Sequence, residues 1–203
     1  MCGICGYIDK KQSGRDLTGL IERMNQCLSH RGPDETGVLV KDDIALAMRR
    51  LIVIDPETGA QPIFNEDSHL AVVCNGEIYN YQSLRAELKR LGHRFATASD
   101  TEVIVHAYEE YGPGFPRKLD GMFAACVLDI KNKSLCLVRD RAGVKPLYYC
   151  DTPDFFVFSS EIRPFFKIDA ITRELNPKAV DQFLTLEYTL PPETMIKGIY
   201  QIP

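Results

Sequence analysis

The spacing of apolar residues along the chain predicts helices in some segments and strands in others. Apolar positions three or four residues apart predict amphipathic helices within 17–28, 84–91 and 104–111. The first of these helices is expected to end near His30. Asn176 followed by Pro177 is typical of a helix start, and this fourth helix is expected to extend to about residue 186. Short apolar runs between polar turns predict strands at 4–8, 37–40, 44–49, 50–54, 70–74, 122–130, 134–138, 147–149 and 155–159.

Turn residues set the boundaries of several of these elements. The Gly-Pro pair within 30–34 predicts a loop, and the polar link 131–133 is short enough to join two strands as a hairpin. Asn75-Gly76 is a strong turn signal, so the strand at 70–74 is expected to end there.

The order of the elements favours one fold class over another. The chain has strands first, then two consecutive helices, then more strands and a last helix. A parallel, doubly wound sheet would alternate strands with helices throughout. The order therefore predicts an α+β fold in which antiparallel sheets pack together with helices outside.

Composition and charge exclude some classes of partner. The chain has 203 residues, of which 45% are hydrophobic and 26% charged, and its net charge is −4. These values are typical of a globular protein with a full core. The acidic balance and the lack of a long Lys/Arg run argue against a nucleic-acid partner. No membrane partner is expected, because no apolar stretch reaches the ~18 residues of a membrane span; Lys10 and Lys11 also break the pattern of a signal peptide.

The cysteines and histidines do not have the spacing of a disulfide framework or a metal site. The seven cysteines are an odd set, which predicts reduced thiols and a cytoplasmic location. Cys2 and Cys5 match C-x-x-C but lie at the chain start, so Cys5 is interpreted as a buried strand residue. The four histidines are scattered along the sequence, and no metal site is expected.

The first residues offer a nucleophile. Once Met1 is removed, Cys2 carries both a thiol and a free α-amine. An α-amine has a pKa of ~7.7–8.0, so much of it is neutral at working pH and can accept the thiol proton. A terminal nucleophile assisted by its own amine is a known catalytic arrangement. Taken alone, a cysteine at position 2 is more often incidental.

Eight motifs, in a fixed order, give the chain a resemblance to one family. It resembles the class II, N-terminal-nucleophile glutamine amidotransferases, and in particular the N-terminal glutaminase domain of B-type, glutamine-hydrolysing asparagine synthetases, over residues 2–203. This resemblance implies a four-layer αββα sandwich with two antiparallel sheets. The motifs are the residue runs 1–4, 30–34, 50–62, 75–80, 99–102, 120–124, 139–149 and 159–161.

The resemblance implies a catalytic role for three residues. Cys2 corresponds to the nucleophile that attacks the side-chain amide of glutamine. Asn75, through its side-chain NH₂, and Gly76, through its backbone N–H, correspond to the donors that stabilise the oxyanion formed by this attack.

Three further residues correspond to those that bind the substrate. Arg50 is expected to hold the α-carboxylate of glutamine, and Asp100, with Glu77 nearby, its α-ammonium. Arg49 would replace Arg50 if the alignment shifted by one position. Asp100 can also act as a helix cap.

The loop at 30–34 contains His30 and Asp34, which could be mistaken for a catalytic pair. The family does not use this histidine as a base, so both are interpreted as parts of a shaped loop near the site.

The implied reaction is hydrolysis of glutamine to glutamate and ammonia through a γ-glutamyl thioester. This domain is expected to need no cofactor. The ammonia would pass to an ATP-dependent synthetase domain that amidates aspartate and uses ATP and Mg²⁺. That domain is expected after residue 203 and is absent from this sequence, which has no Ser-Gly-Gly-type ATP loop.

The expected partners are glutamine, the C-terminal synthetase domain and a second copy of the chain as a homodimer. Two alternatives stay open at this stage. The chain could be the amide-donor domain of a synthetase-like enzyme with another acceptor, or a non-catalytic binding module of the same fold.

Overall fold

The computed structural model describes residues 1–203 as ten strands, four α-helices and two 3₁₀ helices. The strands are β1 (Gly3–Asp9), β2 (Glu35–Lys41), β3 (Ile44–Arg50), β4 (Ile63–Phe64), β5 (Leu70–Ile78), β6 (Gly121–Asp129), β7 (Ser134–Arg139), β8 (Tyr148–Asp151), β9 (Phe155–Ser159) and β10 (Tyr200–Gln201). The helices are α1 (Leu17–Gln26), α2 (Tyr81–Arg90), α3 (Glu102–Tyr111) and α4 (Pro177–Leu186), with 3₁₀ helices at Gly112–Lys118 and Arg163–Lys167. None of the helices combines the length and the apolar composition that crossing a membrane requires.

Two antiparallel sheets form the centre of the fold. The larger has six strands in the order β10-β8-β9-β1-β3-β2, and the smaller has four in the order β4-β5-β6-β7. Every strand pair is antiparallel. The prediction of an α+β fold with two antiparallel sheets and helices outside is confirmed.

Three groups of buried apolar side chains correspond to the three spaces between four layers. One lies between α1 and the six-stranded sheet and includes Leu20, Ile21 and Met24. A second lies between the two sheets. The third packs α2 and α3 against the four-stranded sheet and includes Leu88 and Ile104. The 3.6-residue periodicity of the helices therefore matches the faces that they bury.

The central position of β1 requires a glycine in the middle of the strand. β1 pairs with β3 on one side and with β9 on the other. A Cβ atom at Gly6 would collide with the ring of Phe158 and come within 2.8 Å of Leu46 Cδ2. The absence of a side chain thus lets Phe158 fill the space between the sheets.

The prediction of a strand at 50–54 is wrong. β3 ends at Arg50, and the next four residues leave the sheet. Their backbone groups bind side chains rather than another strand: the N–H of Ile52 donates to Asp34 Oδ2 at 2.8 Å, and the carbonyl of Ile54 accepts from Arg50 Nη2 at 2.8 Å. The predicted end of the first helix near His30 is also late, since α1 ends at Gln26 and tighter turns follow.

Asn75-Gly76 is not a turn, contrary to its sequence signal. β5 continues through both residues, which pair with Ala124 and Phe123 of β6. Gly76 has a φ of +150°, and a Cβ atom there would collide with the carbonyl oxygen of Met122. Glycine is needed because the two backbones approach closely, not because the chain reverses.

The packing at Gly6 gives a test of the sandwich. Gly6→Ala is expected to lower the free energy of unfolding by about 1–3 kcal/mol, because the added methyl group overpacks the space that Phe158 fills. Gly114→Ala is the matched control, since a Cβ atom at Gly114 has no neighbour within 4 Å. Urea unfolding measures both; equal effects of the two variants would contradict this account of the core.

Candidate active site

A pocket of about 170 Å³ opens where the ends of the two sheets meet. All six residues that the sequence predicts for the site line it, although they come from four separate segments. They are Cys2, Arg50, Asn75, Gly76, Glu77 and Asp100.

Cys2 is held at the edge of this pocket by its neighbours. The backbone N–H of Leu51 lies 3.4 Å from Cys2 Sγ and donates to it. Arg31 Nε donates to the carbonyl oxygen of Cys2 at 2.8 Å, and its Nη1 pairs with Glu161 at 2.9 Å. These contacts fix the position of the sulfur relative to the other lining residues.

The other cysteines differ from Cys2 in their surroundings. Cys5 is fully buried in β1, as predicted, and burial raises the pKa of its thiol. Burial likewise raises the pKa of the Cys74 thiol, and the carboxylate of Asp100 adds to this effect. These thiols are poor nucleophiles, because thiolate is the reactive form.

Asn75 brings an amide without partners to the pocket. Its side chain is 1% exposed, and neither its Nδ2 nor its Oδ1 has a hydrogen-bond partner in the protein. Buried amides are almost always paired, and an unpaired one costs about 1–3 kcal/mol. An amide that lines a pocket in this state is suited to bind a ligand.

Arg50 lies in the pocket and Arg49 does not. Arg49 points to α1, where its Nη2 donates to Gln26 Oε1 at 2.7 Å. The Arg50 side chain is almost buried; it pairs with Glu35 at 2.7 Å and donates through Nη2 to the carbonyls of Ile54 and Asp55. These contacts use three of the five N–H donors of a guanidinium and leave Nε and one hydrogen of Nη1.

Asp100 is not a helix cap. Its Oδ2 accepts from the N–H of Ile78 at 2.8 Å, whereas the N-cap position of α3 is Thr101, whose N–H donates to Ser99 Oγ at 3.2 Å. Burial raises the pKa of the Asp100 carboxyl, and the nearby carboxylate of Glu77 adds to this, despite opposing backbone hydrogen bonds. A cation bound beside Asp100 would favour the ionised form of its carboxyl.

The loop at 30–34 supports the site from behind. Asp34 fixes the segment after β3 through its bond to Ile52. His30 Nε2 lies 3.0 Å from Glu161, on the surface and outside the pocket lining. The interpretation of 30–34 as a shaped loop agrees with these contacts.

The pocket lining also includes Lys145 and Gln61, for which the sequence predicts no role. Lys145 is 6% exposed, and its Nζ lies 3.6 Å from the thioether sulfur of Met1. Gln61 accepts the N–H of Cys74 at 2.7 Å and donates to Thr101 Oγ1 at 3.3 Å. Both belong to motifs of the resemblance, but an isolated Lys or Gln in a sequence carries no sign of its role.

Two of the four histidines, which are scattered along the sequence, lie close together in the fold. His93 and His106 are neighbours in space, with ring centroids 5.1 Å apart. Thirteen positions separate them in the sequence, which hides the pairing.

The glutamine amidotransferase domain family matches residues 1–203. The chain belongs to this family. It is 40% identical over 180 residues to asparagine synthetase [glutamine-hydrolyzing] 2 of Bacillus subtilis, a match covering 88% of the chain and 24% of that protein. It is 49% identical over 151 residues to asparagine synthetase [glutamine-hydrolyzing] 2 of Arabidopsis thaliana, a match covering 73% of the chain and 25% of that protein. The chain thus spans about a quarter of the length of these curated relatives.

A solved structure shows the same fold. The glutamine phosphoribosylpyrophosphate amidotransferase of B. subtilis superposes on this amidotransferase domain with a TM-score of 0.68 and 22% identity. The match covers 87% of this chain and 46% of that one. This likeness and the two antiparallel sheets bear out the αββα sandwich that the resemblance implied.

The raised pKa of Asp100 predicts how stability depends on pH. Because the pKa is higher in the folded than in the unfolded state, ionisation of Asp100 destabilises the fold as the pH rises through the folded value. Asp100→Asn removes this loss and is expected to be more stable than wild type near pH 8. Below the unfolded pKa of about 3.9 the carboxyl is neutral in both states, and the difference should close.

Urea unfolding at about pH 8, 6 and 4 measures this effect. Asp181→Asn, at an exposed position of α4, controls for the change in net charge. An advantage of Asp100→Asn that grew as the pH fell would show that the sign is wrong.

Proposed function

We propose that this domain hydrolyses glutamine to glutamate and ammonia, with Cys2 as the nucleophile. One observation carries the proposal: the buried, unpartnered amide of Asn75 lines the same pocket as the Cys2 thiol. Attack on an amide requires a nucleophile and a hydrogen-bond donor that is free to stabilise the oxyanion, and this pocket contains both.

The first step forms a covalent bond to Cys2. After removal of Met1, the α-amine of Cys2 accepts the thiol proton, and the sulfur attacks the side-chain carbonyl carbon of glutamine. The carbonyl oxygen becomes an oxyanion, which accepts from Asn75 Nδ2 and the N–H of Gly76. The α-ammonium of Cys2 then gives its proton to the leaving nitrogen, and the C–N bond breaks to release ammonia. Water hydrolyses the γ-glutamyl thioester that remains on Cys2.

The charges of the pocket suit the main-chain end of glutamine. Arg50 has two N–H donors left for the α-carboxylate. Asp100 and Glu77 offer negative charge to the α-ammonium. Lys145 adds a positive charge to the pocket lining.

In the whole protein we propose that the ammonia passes to a C-terminal synthetase domain. The curated relatives, named as glutamine-hydrolysing asparagine synthetases, are about four times as long as this chain, which supports a further domain. Apolar side chains exposed on and after α4, including Phe183, Leu184 and Tyr188, offer a surface for contact with it. Aspartate is the proposed acceptor, with ATP and Mg²⁺ in that domain and no cofactor in this one.

The free thiols support a reducing compartment. All seven cysteines are unpaired, and secreted domains of this size more often use theirs in disulfides. A cytoplasmic location is therefore part of the proposal.

Loss of the nucleophile gives the main test. Cys2→Ala is expected to lower ammonia release from glutamine by at least about 10³-fold, because no thioester can form. A glutamine-like chloroketone should add once to the wild type, after mass spectrometry confirms that Met1 is absent, and not at all to Cys2→Ala. Cys136→Ala is the matched control, since Cys136 is the other partly exposed cysteine. Unchanged ammonia release by Cys2→Ala would end the proposal.

The oxyanion role of Asn75 predicts a specific kinetic change. Asn75→Ala is expected to lower kcat by about 10²–10³-fold with little change in KM, because its amide acts on the charge that develops during attack. Asp100→Asn should instead raise KM about ten- to a hundredfold, since it weakens a charged contact to bound glutamine. Asn75 has no hydrogen bond to lose in the folded protein, so its variant should fold. A pure KM effect of Asn75→Ala would assign it to substrate binding.

A further inference from the structure

A second group of chemically active side chains lies away from the pocket, on the outer side of the four-stranded sheet. Glu66 follows β4, His93 lies in the connection between α2 and α3, and His106 and Glu109 are on α3. One potential ligand atom from each residue lies within 4.8 Å of the others. We propose that these four side chains bind a divalent transition-metal ion, with Zn²⁺ as the best fit.

The distances in this group fit metal ligands better than hydrogen-bonded partners. His93 Nδ1 lies 3.5 Å from Glu66 Oε1 and 3.7 Å from Glu109 Oε2, and His106 Nδ1 lies 3.4 Å from Glu66 Oε2. Hydrogen bonds of this type are about 2.7–3.2 Å long. Ligands around a tetrahedral Zn²⁺, with bonds of about 2.0–2.1 Å, lie about 3.3–3.4 Å apart.

His106 provides an independent sign of a missing partner. Its side chain is fully buried, and neither ring nitrogen has a hydrogen-bond partner in the protein. A buried imidazole without partners is costly, whereas neutral imidazole is a common zinc ligand. Nδ1 faces the cluster, so an ion there would give this nitrogen a bond.

Both imidazoles present their other nitrogen to a carboxylate. His106 Nε2 lies 3.6 Å from Glu102 Oε1, and His93 Nε2 lies 3.3 Å from Glu110 Oε2. Glu102 is itself fixed by the N–H groups of Ala96 and Thr97. A carboxylate behind a ligating histidine is typical of metal sites, where it sets the tautomer and the ring orientation.

The two carboxylate ligands are also held in place. Glu66 Oε1 accepts from the backbone N–H of Arg94 at 2.6 Å, and Glu109 Oε2 accepts from Asn65 Nδ2 at 3.1 Å. These hydrogen bonds fix both carboxylates in the protein alone, so the pair of oxygen ligands is preformed.

The ligand types select among metals. Two imidazoles and two carboxylates suit Zn²⁺ and neighbouring transition metals, whereas Ca²⁺ and Mg²⁺ prefer sites made of oxygen ligands alone. Two ionised carboxylates and two neutral imidazoles would also balance the charge of one divalent ion. Such an ion would join three segments of the chain: the β4–β5 connection, the α2–α3 connection and helix α3. The α2–α3 connection also contains Asp100.

Metal binding can be measured without reference to glutamine hydrolysis. The purified chain is stripped with a chelator, and Zn²⁺ is titrated back in competition with a chromophoric chelator. About one Zn²⁺ per chain is expected, with a rise in melting temperature that EDTA reverses. Co²⁺ should give the visible absorption bands of four-coordinate cobalt.

Variants identify the ligands and their support. His93→Gln and Glu109→Gln are each expected to abolish stoichiometric binding, and Glu102→Gln to weaken it about ten- to a hundredfold. His30→Gln is the matched control, because His30 pairs with Glu161 at the surface, outside the cluster. It should bind Zn²⁺ as the wild type does.

A nearby alternative is separated by one more variant. Asp67 and His69 form a second group that shares Glu109. Loss of binding in His69→Gln but not in His93→Gln would move the site there and overturn the assignment. So would a wild-type chain that takes up no Zn²⁺ at micromolar concentrations, or binding that survives in both His93→Gln and Glu109→Gln.

Discussion

The pairing of β1 between β3 and β9 is the constraint on which the site depends. It makes the first residues of the chain, which are usually mobile in proteins, part of the central strand of a six-stranded sheet. Ile4 adds a hydrogen bond from its N–H to Ser160 Oγ at 3.0 Å, and Arg31 holds the carbonyl of Cys2. Without this anchoring, the Cys2 sulfur would have no fixed position relative to the groups that face it.

The sandwich then brings together groups that neither sheet has alone. Cys2 directly precedes β1 and Arg50 ends β3 of the six-stranded sheet, while Asn75, Gly76 and Glu77 come from β5 of the other. Apolar side chains packed between the sheets, such as Phe158, set the distance across the pocket. Close packing in the core is therefore a requirement for the geometry of the site, because a shift of about 1 Å can misplace reacting groups.

Much of this organisation could be predicted from the sequence, and the failures have physical causes. Helices α1, α2 and α3 followed from periodicity, because one face of each is buried on a sheet. The turn predicted at Asn75-Gly76 does not form, because nine paired positions between β5 and β6 outweigh the local turn propensity. The two-residue strands β4 and β10 have too few positions to show a pattern. His93 and His106 could not be paired, since only the packing of α3 against the α2–α3 connection brings them together.

The structure also contains buried polar groups that lower the stability of the fold. The amide of Asn75 is unpaired, the carboxyl of Asp100 is buried beside Glu77, and His106 has two nitrogens without partners. Hydrophobic packing elsewhere must offset these costs, at about 1–3 kcal/mol for each unsatisfied buried group. Such groups persist in natural proteins mainly where function requires them. Asn75 and Asp100 line the pocket, and His106 is one of the four potential metal ligands, so these three costly groups lie where the proposed chemistry takes place.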